Sequence, residues 1–207
     1  MSNFEQPNIA IDVVPVFFNE ETREVEAVLP KRIYEPFIDE YTLPGVLLLN
    51  NESVEEALRR ALDVKAGYTG EAHTETLGVY DDPQRDPRST TISIAKVALL
   101  PRGTTIAAEH STERITDGLD LPFDHERIIA DVPQLVELKL GVHAAFTKAL
   151  LGNRFSTNDV KDALVSVKAD FVASNLARQL NSREWLVKDG SIPGPGAGRP
   201  GAAWRIV

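Results

Sequence analysis

Residues 43–67, LPGVLLLNNESVEEALRRALDVKAG, gather carboxylates around a Pro-Gly turn and an amphipathic helix. Ser53 with Glu56 three residues on forms a capping box. Val54, Ala57, Leu58, Ala61 and Leu62 recur at helical spacing and make one apolar stripe. The oxygen donors are Glu52, Glu55, Glu56 and Asp63. Such donors suit Mg²⁺, which is held partly by carboxylates and partly by substrate phosphates. Helical spacing does not bring these four to one point, and Lys65 adds a positive charge in the last turn.

The frame resembles the Nudix signature, G-x5-E-x7-R-E-U-x-E-E-x-G-U with U aliphatic. Glu52, Arg60, Leu62 and Gly67 fall where the pattern wants them, and Gly45 keeps the first glycine of LPGG while Val46 replaces the second. The three glutamates of the R-E-U-x-E-E core are replaced by Ala61, Val64 and Lys65. Since Nudix enzymes hold divalent metal with these glutamates, the resemblance implies a sensor rather than an enzyme, with no catalytic residue, metal or cofactor. Taken alone, the segment is also compatible with an ordinary surface helix; the flanking sequence argues against that.

The elements that must position this segment are legible on either side. The 207 residues suffice for one large domain or for a medium and a small one. Apolar residues make up 43% and charged residues 26%, ordinary values for a globular chain. Absence of cysteine excludes disulfides, zinc-thiolate sites and thiol nucleophiles, which suits a cytoplasmic protein. The N-terminus lacks the basic and apolar regions of a signal peptide, and no apolar run approaches the roughly 20 residues that span a bilayer. Residues 8–18 read as a buried strand, 25–30 as its hairpin partner, and 75–80 and 90–100 as further strands. Residues 126–129 read as a short strand or the lead into a helix, and 135–151 as one long helix. This alternation predicts an α/β (α+β) sandwich over residues 1–150.

Residues 151–207 have a different grammar. Their net charge is +3, against −12 for residues 1–150. Ser156 caps a helix over 157–167, a turn follows at 168–170, and a second helix runs over 171–180. Strands at 185–187 and 204–207 flank the Gly/Pro-rich loop DGSIPGPGAGRPGA. Helix, turn, helix and a two-stranded hairpin with a basic tip is the order of a winged helix-turn-helix.

Together these residues resemble the Nudix-related transcriptional regulators of NAD metabolism, a degenerate Nudix-like domain fused to a C-terminal winged helix. The resemblance covers nearly the whole chain. It includes PKR…EPF at 30–37, DDPQRDPRSTTISIAKVALLP from Asp81, FDH at 123–125, FST at 155–157 and GRP at 198–200. Many relatives keep LPGG and some box glutamates, so this chain departs toward loss of hydrolysis. The resemblance implies a homodimeric, ligand-responsive repressor that senses ADP-ribose or a related nucleotide and binds double-stranded operator DNA. Regulators of the same family retargeted to sugars, and a Nudix hydrolase of a nucleoside diphosphate derivative, are the alternatives. A binding module without DNA activity is a third, disfavoured by the basic C-terminal segment.

Candidate ligand residues are Arg32, Gly45, Glu52, Arg85 and Arg88; the arginines can grip phosphate bidentately. Arg85 can instead pair with Asp86, and Arg60 can brace its loop through Glu52. On the second C-terminal helix, Asn175 and Gln179 suit adenine, Arg178 guanine, and Ser174 phosphate or base. Lys168 and Arg183 are candidates for flanking phosphates, and Arg199 for a minor groove; a winged helix used only for dimerisation is the alternative. The four histidines show no metal-ligand spacing, and His125 beside Asp124 reads as a structural hydrogen-bonded pair.

Overall fold

The computed structural model describes residues 6–116, 118–194 and 200–207. Its centre is β1 (Asn8–Asn19), apolar along most of its length because both faces are covered. Side chains alternate: Ile11 and Val13 point to one face, Val14, Val16 and Phe18 to the other. β2 (Glu24–Leu29) returns antiparallel, β3 (Gly45–Leu47) pairs with the start of β1, and β5 (Thr91–Leu99) runs parallel to it. β4 (His73–Tyr80) and β6 (Ser111–Arg114) complete the sheet, in the order β4-β5-β1-β2-β6 with β3 paired to β1.

Helix α1 (Val54–Ala66) covers the first face, burying Ala57, Leu58, Ala61 and Leu62 against Ile11, Val13 and Ala98. Its capping box is formed in full: Ser53 accepts from the Glu56 amide, and Glu56 accepts from the Ser53 amide. α2 (His125–Ala130), α3 (Val132–Lys139) and α4 (Ala144–Leu151) supply Ile128, Val132, Val136 and Phe146 to the core on the opposite face. The helix expected over 135–151 is broken after Lys139. Gly141 adopts φ +72, a left-handed conformation suited to glycine, and its amide donates to the Thr147 hydroxyl. Residues 126–129 lie within α2, so that ambiguity resolves to helix.

After Leu151 come β7 (Arg154–Ser156), α5 (Thr157–Ser166), α6 (Ala173–Asn181), β8 (Leu186–Ile192) and β9 (Gly201–Ile206). The strands form a separate antiparallel sheet, β7-β9-β8. One apolar core nevertheless runs from Phe18, Val25 and Leu29 through Leu151 to Val160, Leu164 and Trp204. Ion pairs reinforce this join. Asp159, buried near the start of α5, accepts from the Ser156 amide and meets Arg23 at 2.5 Å and Arg102 at 3.4 Å. Both guanidinium groups lie over the Phe18 ring. The Val25 amide donates to Ser166 at the far end of the same helix.

Candidate functional site

The loop between β2 and β3, the last turns of α1 and the segment between β4 and β5 enclose a cleft of about 870 Å³. The first of these loops is drawn together by the Arg32 and Glu40 main chains and by a bridge between Lys31 and Tyr41. At the floor stands Asp12, a lone acid in the apolar β1 run, 5% exposed. Its Oδ2 accepts from Arg85 Nη2 and from Ser93 Oγ, each at 2.7 Å. Gly45 makes room for it: a Cβ at that position would lie 2.2 Å from Asp12 Oδ1.

Arg85 sits deeper than its sequence context suggests. It is buried, its Nε and Nη2 close as a fork on Asp124 at 2.9 and 2.7 Å, and Nη2 also serves Asp12. The edge proposed for phosphate is therefore occupied by aspartate, and the alternative Arg85–Asp86 pair is not formed. Arg88 instead holds Asp86, at 2.9 and 2.7 Å, while staying about half exposed at the cleft. His125 does not bond Asp124. Its Nδ1 lies 2.6 Å from Thr42 Oγ1 and accepts from the Leu43 amide at 3.2 Å, which directs Nε2 toward Asp12, 3.7 Å away. Full burial pushes the His125 pKa below its ordinary value, with the Asp12 carboxylate opposing that shift.

Positive charge gathers above this floor. Arg32 donates to the Pro36 carbonyl at 2.8 Å, and its guanidinium lies 5.0 Å from the centre of the Phe123 ring; that of Arg88 lies 5.5 Å from the same ring. Burial and the charge of Arg88 both act against ionised Arg32. Lys65 lines the same cleft with Nζ 5.1 Å from the Tyr34 ring centre, and burial, Arg32 and Arg60 push its pKa down.

The remaining carboxylates of the box are engaged elsewhere. Glu52 does not line the cleft. It receives a two-pronged bond from Arg60, both contacts at 2.7 Å, and accepts from the Leu49 amide, which together hold its carboxyl at about 2. Arg60 also donates to the Leu47 carbonyl, so this pair braces the loop before α1. Glu56 caps the helix, and Glu55 faces Thr74 and Lys96. From α1 the cleft receives Arg60, Val64 and Lys65, none an oxygen donor. Among the described residues, no three acidic or imidazole side chains converge as a metal site. This donor set does not fit a hard divalent cation, which needs several converging oxygens.

Of the candidate ligand residues, the structure brings Arg32, Gly45, Arg85 and Arg88 to one cleft and leaves Glu52 outside it. Sequence reasoning missed Asp12, Thr42, Ser93, Phe123 and His110. Asp12 carried a usable signal, since a carboxylate inside a buried strand must find a partner. On α6, Leu176 and Leu180 face inward, Ser174, Arg178 and Gln179 are exposed, and Asn175 is half-buried, accepting from Arg178 at 3.2 Å. Lys168 donates to the Thr116 carbonyl and Arg183 to that of Gly141, so both also tie the C-terminal segment to the body. Arg199 lies outside the described residues. Among the described residues, no helix is long and apolar enough to cross a membrane.

No family model matches the chain. An ADP-ribose pyrophosphatase of Methanocaldococcus jannaschii is 35% identical over 113 residues, covering 53% of this chain and 66% of that protein, a little under two thirds of its length. The crystal structure of Shewanella oneidensis NrtR complexed with a 27mer DNA superposes with a TM-score of 0.76 at 18% identity, covering 96% of this chain and 93% of that one. The Nudix domain of the same NrtR complexed with ADP ribose gives 0.54 at 20% identity, covering 64% of this chain and 90% of that one. The mixed sheet, the helix of the degenerate box and these superpositions agree: the chain has the Nudix fold.

Proposed function

We propose that this chain is a homodimeric, non-hydrolytic transcriptional regulator, a repressor of NAD-metabolism genes. Its cleft binds ADP-ribose or a related nucleotide, and residues 151–207 form a winged helix that binds operator DNA in the cytoplasm. The observation that carries this reading is the continuation of the NrtR likeness beyond the cleft-bearing domain, over 96% of the chain. Within that extension, α6 offers Ser174, Arg178 and Gln179 to a major groove, as the second helix of a helix-turn-helix does. On the ligand side, Arg32, Arg88 and Lys65 supply charge for phosphates, while Tyr34 and Phe123 supply ring faces. The Shewanella Nudix domain complexed with ADP ribose supports the same ligand class. Two copies related by a two-fold axis would match a palindromic operator.

The test is fluorescence anisotropy of the chain on its own upstream DNA, with and without ADP-ribose. Salt-sensitive binding that ADP-ribose alters is the expected result. Absence of binding at low salt would overturn the regulator reading. The identity to an ADP-ribose pyrophosphatase favours a second reading, hydrolysis of a nucleoside diphosphate derivative. Metal-dependent release of AMP from ADP-ribose would establish that one instead.

A further inference from the structure

Lys65 occupies the position of a metal-binding glutamate in the Nudix frame and lines the cleft without a carboxylate partner among the described residues. Its nearest charged influences are Arg32 and Arg60, and the latter is committed to Glu52. The Arg32 guanidinium donates to the Pro36 carbonyl and lies over the Phe123 ring, while Asp86, Glu35 and Glu40 offset part of its charge from a distance. Lys65 and Arg32 repel one another in a part-buried cleft, and Lys65 has no acidic influence to offset it, an arrangement stabilised by an anion bearing two charges.

A histidine stands at the same end of the cleft. His110 lines it, and its Nε2 lies 3.1 Å from the Ala66 carbonyl, the residue after Lys65. With Nε2 donating there, Nδ1 is left as an acceptor, and this buried atom has no partner. That atom is covered even with the cleft empty, so its cost falls on the fold and it offers a ligand no bond.

We propose that the Lys65 ammonium, with Arg32, stands in for the divalent cation, so that the cleft binds the diphosphate of a nucleotide without metal. The two positive charges match the two negative charges of a diphosphate diester. Diphosphate affinity and loss of the metal ligands are then one adaptation, because a lysine at this position repels the cation whose work it performs. The inference rests on the reading of the cleft as a nucleotide site.

The experiment is calorimetric titration of the full chain with ADP-ribose, in Mg²⁺ and in EDTA. Wild type, Lys65→Gln and Lys65→Arg are compared, with thermal melts to verify folding. The expected result is equal affinity with and without metal, a loss of about tenfold or more in Lys65→Gln, and binding retained in Lys65→Arg. Wild-type binding that requires Mg²⁺, or unchanged affinity in a folded Lys65→Gln, would overturn the inference while leaving the sensor reading intact. If wild type takes up no ADP-ribose, that ligand under the proposed function fails, and ADP, a related nucleotide, is titrated in the same arms. Chelator-resistant uptake of ADP that depends on Lys65 sustains the inference; no uptake overturns it as well.

Discussion

Asp12 and Gly45 are register partners across β1 and β3, and the absence of a side chain at 45 is what lets the Asp12 carboxylate stand at the cleft floor. Gly45→Ala must push that carboxylate off Arg85 and Ser93. We expect a loss of about 1–3 kcal/mol in urea unfolding, as for other overpacked sites, together with weaker nucleotide binding.

Arg85 and Arg88, three residues apart, should behave differently. Arg85→Ala leaves Asp12 and Asp124 without their buried cation, with an expected cost of about 3–5 kcal/mol. Arg88 is about half exposed and its amide still donates to the buried Asp86, so Arg88→Ala should cost less, about 1–3 kcal/mol, in the same assay. Calorimetry should reverse the contrast, with Arg88→Ala losing nucleotide affinity in a folded protein.

His125 sets a pH dependence of its own. Its folded pKa lies below the ordinary 6.5, so on acidification the unfolded chain takes up a proton that the folded chain does not. Stability is full above pH 6.5 and falls as pH drops from there toward the depressed folded pKa. Asp159 and Asp86 are also held below their ordinary 3.8, and their stabilisation is lost only at more acidic pH, as it falls through their folded values. Urea midpoints measured from pH 8 to 5 should decline in wild type and flatten in His125→Gln.

The proposed operator contacts separate in the same way. Arg178→Ala and Gln179→Ala alter exposed side chains of α6 and should weaken specific DNA binding about tenfold each without lowering the melting temperature. Arg183→Ala removes a donor to the Gly141 carbonyl, so its effect should include destabilisation of about 1 kcal/mol. Anisotropy titrations at two salt concentrations, beside thermal melts, distinguish the two classes.

The elements that could be read in advance were those with a strong local pattern. The continuous apolar run of β1, the Ser53 box before α1 and the Ser156 box before α5 all appear as expected. β3, β6 and β7 have only three or four residues each, too few to display a period. The break in the long helix hides in LGVH, whose apolar residues continue a helical rhythm while Gly141 turns the chain. In the cleft, Arg32, Gly45 and Arg88 were recognisable from neighbouring motifs. The true partners of Arg85 were not, because Asp12 and Asp124 lie 73 and 39 residues away and only the folded sheet brings them near.

The shared core between β2 and α5 bears on protein engineering. Severing the chain near Leu151 would strip cover from Val25 and Leu29 on one fragment and from Val160, Leu164 and Trp204 on the other, while orphaning the Asp159 carboxylate from Arg23 and Arg102. Neither fragment is a ready-made part for chimeras. Transplanting the C-terminal segment onto a foreign sensor would require carrying the β2 face, Arg23 and Arg102 along with it.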